Sequence, residues 1–535
     1  MLLAVNVPKD IETLTDRILA SVDGVVGSET LLELSLAISR GNLQAELDPL
    51  AVLSPLLSSS REGVDAVLDL LSQSASAREL TVAAQELIEY LANADEDGSD
   101  NELNETRATT ARQIKRLIDV YAHAIPRLQT KKPPSHTLFT TIGEMQQCIL
   151  PATSHASPSE SRDMLMATAT LVQDLHTWAS DRCREDEAEA TRCKVTLIAF
   201  LDAVVEACAN TTSALLSQRI FAARFPRLVV RTMTGSEWKL NADALRAVVR
   251  TSESLGRTAA ILSTIPSVAC LVLFVHSDCL ETSSLETLTT MLPAILAALQ
   301  ANVALDEALA LLLVVFFPTI PSTTIDPSPD VIIALSTILP ALCSIHPDAP
   351  TRHLSFRLLG QVLHMSPPPL RLQVLRDLLA PSEDAFPQMR VAAIGLVKDA
   401  VLEGLERSAS EPDLFASPLM LATLGSFLLR PDPVDLFQRN LSVRDFVEMD
   451  EAKRLVECLA FYYVLLLRDA DNKTGIRDRH TLQEVETSLL TPLRCALKSW
   501  FVEAGSYNDP LSLLPLAALE TNIKRVDEAV EKVHS

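Results

Sequence analysis

FPQMRVAAIGLVKDAVLEGL, residues 386–405, reads as one helix of a stack and carries no catalytic side-chain pattern. Pro387 fits a first helical turn, where its missing N–H goes unused, and Ile394, Val397, Val401 and Leu405 then recur at helical spacing. The small Ala392 and Ala393 admit a close neighbour. The preceding segment, 370–379, puts Val374, Leu375, Leu378 and Leu379 on one side, and a short polar turn at 381–385 joins the two into an antiparallel pair. Such a pair cannot bury both apolar stripes by itself, so it must stack on further pairs.

Working outward, the whole chain fits this reading. Its 535 residues, 48% of them hydrophobic, are too many for one core that grows with length. Only 14 are glycine, where average usage of roughly 7% gives about 37. Aromatic residues make up 4%. A sheet-rich enzyme needs glycine for tight turns and phosphate loops, and β-branched or aromatic runs for strands. The expected fold class is therefore all-α, an α-solenoid of stacked helix pairs with irregular repeats.

Breaks in the helical pattern divide the chain. We expect N-terminal helical repeats over 1–92 and a solvated acidic loop over 93–106, where Asp95, Glu96, Asp97, Asp100, Glu102 and Glu105 crowd together. Middle repeats follow over 107–317. A proline-rich joint, PTIPSTTIDPSP, falls at 318–329, and C-terminal repeats fill 330–535. The most apolar run, 308–317, is about half the length that crosses a bilayer and reads as a buried helix. Residues 2–7 are apolar but lack a basic leader and run into Pro8, Lys9 and Asp10, so no secretory signal is expected.

The formal charge of −23 argues against nucleic-acid binding, which needs a basic stripe, and favours a basic or neutral protein partner. The same charge also keeps a Leu-rich chain in solution. Nine cysteines without regular spacing form no disulfide framework, so a reducing interior is expected: the cytoplasm, with the nucleus as a second location.

Signatures of chemistry fail in turn. GVVGSE at 24–29 lacks the lysine of a phosphate loop, and Gly425-Ser426 is followed by Phe427 and Leu428, which rules out a nucleophile elbow. His353 and His364 lie roughly 16 Å apart along one helix and cannot share a metal. Cys183 and Cys193 are the candidate redox thiols, because Arg182, Arg184, Arg192 and Lys194 flank them and cations lower a thiol pKa. Placed on one helix, the two stand about 15 Å apart, beyond disulfide reach. No enzymatic activity, metal or cofactor is expected.

Three segments carry a resemblance: RHLSFRLLGQVL at 352–363, the opening helix at 386–405, and LAFYYVLLLRDADNKTGIRD at 459–478, followed by LLTPLRCALK at 489–498. Over 352–498 the chain resembles the YAP-binding/Alf4/glomulin family. The resemblance implies an all-helical HEAT/armadillo-like scaffold, non-enzymatic and monomeric. It also implies a protein partner. One expected partner is an AP-1-like transcription factor whose peroxide-induced oxidation the scaffold supports; others are the RING subunit of a cullin ubiquitin ligase, and a kinetochore. The polar ends of the last helix pairs are the expected binding surface, with Arg390, Lys398, Arg468, Asp469, Asn472, Lys473 and Thr474 as its candidates. Capping of helices and bridging of adjacent repeats are the plainer roles for the same residues.

Overall fold

Capping side chains start many of these helices, as the sequence leads one to expect from physical chemistry. Thr30 and Glu33 form a reciprocal capping box, as do Ser157 and Glu160, and Asp48, Asp186 and Asp348 each accept from a first-turn N–H. Pro49, Pro158, Pro329, Pro368 and Pro387 occupy the first turns of their helices. The computed structural model describes residues 11–93, 107–228, 235–318, 326–381, 386–407, 413–439, 441–504 and 514–534. Among these residues helices are the regular elements, and extended pairing is limited to one isolated bridge between Ser59 and Arg107. The chain divides into two compact units, Met1–Thr319 and Ile320–Ser535. Residues 94–106 of the expected acidic loop, 319–325 of the expected joint and 382–385 of the expected turn lie outside the described residues.

The first unit opens with α1 (Ile11–Asp23), α2 (Leu31–Gly41), α3 (Pro49–Ser58), α4 (Val64–Ser74) and α5 (Ala77–Asn93). It continues through α6 (Thr110–Arg127), α7 (Pro134–Leu138), α8 (Glu144–Thr153), α9 (Pro158–Arg182) and α10 (Glu187–Cys208). Then come α11 (Leu216–Arg224), α12 (Glu237–Ser254), α13 (Ala259–Leu262), α14 (Val268–Val275), α15 (Leu285–Ala301) and α16 (Leu305–Phe316). Each helix packs mainly on those near it in sequence: α6 on α3, α4 and α5, then α9 on α6, α10 and α12. Glu307–Phe316 is buried throughout, so the most apolar run is indeed a core helix. It brings the Glu307 carboxylate inside, where His276 Nε2 meets it at 2.9 Å and burial pushes its pKa up.

The second unit contains α17 (Pro329–Ile345), α18 (Ala349–His364), α19 (Pro368–Leu379), α20 (Pro387–Glu406) and α21 (Pro418–Leu428). After these come α22 (Val443–Glu448), α23 (Asp450–Arg468), α24 (Arg479–Val485), α25 (Thr491–Ala504) and α26 (Leu514–His534). The helix opened by Pro387 is α20, and it packs on α17, α19 and α23. Ile394, Val397 and Val401 are buried as its pattern requires, whereas Leu405 is half-buried. Met389, Ala393, Leu396, Ala400 and Gly404 are buried as well, because neighbours close on more than one side. A Cβ on Gly404 would come within 2.9 Å of Asp413 Oδ1, so the close approach there depends on glycine. One helical run is interrupted: α24 continues into α25 through a π-turn at Glu486–Leu490. The extra residue in that turn shifts the pattern and buries the consecutive Leu489 and Leu490, which a 3.6-residue period does not place together.

One device recurs in both units. A helix leaves its last carbonyls without helical partners, and here an arginine from another segment, later or earlier in the chain, donates to carbonyls at the helix end. Arg61 Nε donates to Val22 O at the end of α1 (2.7 Å), and Arg127 Nη1 to Ala75 O at the end of α4 (2.9 Å). Arg182 Nη2 reaches Leu128 O beyond α6 (3.2 Å), and Arg224 Nη1 reaches Leu313 O of α16 (2.6 Å). Arg116 is the most enclosed, with 2% exposure: Nη1 donates to Leu57 O (3.0 Å) and Ser59 O (2.7 Å), while Nε pairs with Asp65 (2.7 Å). Arg116→Met strands those buried carbonyls, while the exposed Asp65 keeps its second partner, Arg112 Nη2, at 3.1 Å. We expect a loss of about 1–3 kcal/mol, read as an earlier unfolding transition in urea; an unchanged midpoint would refute this role.

Candidate protein-binding surface

The two helices that bear Arg390, Lys398 and Arg468, α20 and α23, lie side by side in the same direction. At their C-terminal ends Arg468 Nη2 of α23 meets Glu406 Oε1 of α20 at 2.7 Å. At their N-terminal ends Arg390 of α20 and Glu451 of α23 both bind Asp432, through its side chain and its backbone N–H respectively. Arg390 and Glu406 are about 24 Å apart along the axis of α20. The seven candidates therefore do not form one site: Arg390 sits at one end, Lys398 between, and Arg468 with the 469–474 loop at the other.

Arg390 is committed to the fold. Its Nε closes α19 by donating to Leu379 O (3.0 Å) and its Nη2 pairs with Asp432 Oδ2 (2.7 Å). Asp432 N in turn donates to Glu451 Oε1 (2.9 Å), and the buried Arg454 holds Glu451 through Nε (2.6 Å) and Nη2 (2.7 Å) while donating to Arg430 O (2.7 Å) and Phe427 O. Lys398 is half-buried on α20 and has no hydrogen bond or ion pair among the described residues.

At the other end, Asp469 is 1% exposed and works as a cradle. Its carboxylate accepts from Lys473 N (2.7 Å), Thr474 N (2.8 Å) and Thr474 Oγ1 (2.6 Å). Asn472 at φ 53° and Gly475 at φ 78° take left-handed backbone, and Asn472 Oδ1 accepts from Arg477 N (2.8 Å). Arg477 then donates to Leu466 O (2.6 Å) and Ala470 O (3.0 Å), closing α23. Asp469 and Thr474 thus face inward, and Arg468, Asp471, Asp478, Arg479 and His480 remain exposed.

Glu403 is a hub that sequence reasoning missed. Its carboxylate receives Arg371 Nη1 from α19 (2.8 Å), Arg407 Nη2 (2.6 Å) and His364 Nδ1 from α18 (3.1 Å). Burial alone would push its pKa up, but Arg371 first, then His364 and Arg407, hold it below the usual carboxylate value. The i, i+4 spacing of Glu403 and Arg407 was a readable signal; nothing local marks Arg371 as their partner. His364 is thereby placed against a carboxylate, and among the described residues no cluster of His, Cys, Asp and Glu is arranged to hold a metal.

The thiols require a correction. Cys183 ends α9 and Cys193 stands on α10, so the pair spans a helix turn instead of one continuous helix. The return of α10 along α9 leaves both cysteines buried beside the turn, Cys183 at 5% exposure and Cys193 at 1%. The flanking cations do not activate them. Arg182 goes to Leu128 O and lies over the Trp178 ring, Arg184 pairs with Asp181 (2.8 Å), and Arg192 pairs with Glu189 (2.7 Å). Burial instead pushes both thiols up, Cys193 to about 12, with Cys183 adding to the shift.

Two outcomes follow for the second unit. Asp469→Ala leaves three donors unsatisfied and is expected to cost about 3 kcal/mol, measured by denaturant unfolding; loss of less than about 1 kcal/mol would show that the loop is not held by this cradle. Glu403→Gln is expected to destabilise the protein near neutral pH. Because the folded pKa of Glu403 is lowered, its contribution is complete above the ordinary value of 4.5 and disappears as pH falls through the lower folded value. Melting curves of parent and variant should converge in acid; a gap that stays constant with pH would contradict the charge-based role.

Comparison with known proteins adds the following. No curated protein matches the chain. Among solved structures, a circular tandem repeat protein with novel repeat topology and enhanced subunit contact surfaces aligns over 98% of this chain and 97% of its own, at 15% identity and a TM-score of 0.18. That score is too low for the likeness to establish a shared fold. Among the described residues no helix is long and apolar enough to cross a membrane. Residues 302–520, less than half of the chain but including every segment of the resemblance, match the model of an uncharacterised protein family, YAP/Alf4/glomulin, which supports the resemblance.

Proposed function

We propose that the chain is a non-enzymatic helical adaptor that binds an AP-1-like transcription factor through its basic region and acts in the response to oxidative stress. The observation that carries this reading is a formal charge of −23 on a chain built of stacked helices, together with the family match over its C-terminal part. A basic region is a run of Lys and Arg, and complementarity with an acidic scaffold raises the rate and selectivity of encounter. The helical stack supports the adaptor role, because it presents surface area and no nucleophile, base or phosphate cradle was found in its sequence.

A fluorescently labelled basic-region peptide, titrated with the purified full chain, is expected to bind saturably at low salt, with affinity falling at least tenfold as salt rises to about 0.3 M. Lys473→Glu then reports where the peptide docks: affinity rises severalfold if the 469–478 end of the second unit is the contact, since a repelling charge becomes an attracting one. Absence of saturable binding at low salt rejects the reading. Slowing of a reconstituted cullin-RING reaction by the same preparation, without peptide binding, would replace it with the ligase-regulator alternative.

A further inference from the structure

A polar pocket of about 460 Å³ opens in the first unit where the starts of α6 and α9 meet α4. Arg112, Lys115 and Arg116 line it from α6, and Ser157 and Ser159 line it from the start of α9. The two serines differ. Ser157 is the N-cap, and its hydroxyl is held in the capping box, donating to Glu160 Oε2 at 2.7 Å. Ser159 stands two positions on, is exposed, and meets only the Ser157 hydroxyl, at 3.1 Å, among the described residues. Thr109 ties the two helix starts together: its Oγ1 donates to Glu160 Oε1 and accepts from Arg112 N at 3.2 Å.

The third cation of the pocket is incompletely used. Arg116 is 2% exposed, its Nε goes to Asp65 and its Nη1 to carbonyls, but its Nη2 has no hydrogen-bond partner among the described residues. Buried donors are ordinarily satisfied, so a donor and part of a positive charge remain unspent beside the pocket.

We propose that Ser159 is a phosphorylation site whose phosphate seats against Arg112, Lys115 and Arg116 and latches α9 to α6. Such a latch is independent of which partner the helices bind. In the transfer, Ser159 Oγ attacks the γ-phosphorus of a nucleoside triphosphate held by a serine kinase. The bond from that phosphorus to the β-phosphate oxygen breaks, nucleoside diphosphate leaves, and the hydroxyl proton passes to the kinase's base.

The surroundings suit a tethered phosphate more than a free anion. At the second position of the 25-residue α9 its charge meets the positive end of the helix dipole. Arg112 offers a forked donor, and its present partner Asp65, at 3.1 Å, is 57% exposed, so water readily takes over that carboxylate. Lys115 pairs with Asp119 on its own helix, at 2.6 Å, and keeps further donors. Carboxylates line the pocket too: Asp65, Glu160 and Asp163 balance the three cations. Glu160 already accepts from Ser157 and Thr109, and Asp163 is 63% exposed, where solvent screens its repulsion. With charges so balanced a free anion gains little, whereas a phosphate carried on Ser159 is held at high effective concentration and displaces Asp65 from Arg112.

The test compares the full-length chain carrying phosphoserine at 159, placed by site-specific incorporation, with the unmodified chain by hydrogen exchange. Amides 161–166, whose bonds begin with Ser161 N to Ser157 O at 3.0 Å, are expected to exchange about fivefold more slowly once phosphate is present. Arg112→Gln combined with Lys115→Gln, neither residue being buried, is expected to abolish the slowing. Unchanged exchange in the phosphorylated parent rejects the seat, and equal slowing in the double variant overturns it by reducing the effect to the helix dipole. Phosphopeptide mapping of the chain isolated from its own cells, with phosphatases inhibited, is expected to find phosphate on Ser159; phosphate on Ser157 instead, or on neither serine, overturns the assignment.

Discussion

A stack of short helices has many helix ends, and every end buries carbonyls that have no partner within their own helix. In this protein arginine supplies much of that deficit. Arg61, Arg116, Arg127, Arg182 and Arg224 do so in the first unit, and Arg390, Arg454 and Arg477 in the second. The guanidinium suits the task because its forked donors reach two or three carbonyls at once and its charge opposes the negative end of the helix dipole. Most of these arginines come from a segment well beyond the helix they close. Each tie therefore also fixes how successive layers stack, which apolar packing alone leaves free to slide.

That division explains what could be read in advance. Helical periodicity and a proline in a first turn are local, and they place α20 and α16 to within a few residues. The π-turn at Glu486–Leu490 is local too but hides in an unbroken helical pattern. The arginine ties are not local, and no spacing in the sequence marks Arg116 for Leu57 O or Arg390 for Leu379 O. The cysteine pair lies between these cases. Asp186 with Glu189 three residues on is a helix-start signal that the one-helix reading of Cys183 and Cys193 passed over, and it separates the two across the turn between α9 and α10.

The candidate surface shows the same logic from the outside. Arg390 and Asp469 attract notice in the sequence as charges at helix ends, yet their charges are spent on carbonyls, backbone N–H groups and an ion pair within the fold. Glu403 attracts no notice and gathers groups from three helices. Charge at a helix end is thus ambiguous evidence for binding in a helical stack, because every end needs closing before any partner arrives.

The inward turn of the arginines bears on the sign of the surface. The chain has 69 acidic and 46 basic side chains, and several of the basic ones are drawn into helix ends where carbonyls and neighbouring carboxylates screen them. Burial takes acids as well as bases: among the described residues Arg116, Arg257, Arg371 and Arg454 are buried, and so are Glu189, Glu307, Glu451 and Asp469. The acidic excess of the formal count therefore stays with exposed side chains such as Glu185, Glu187, Asp471 and Asp478, and it sets the electrostatic terms on which any partner must approach.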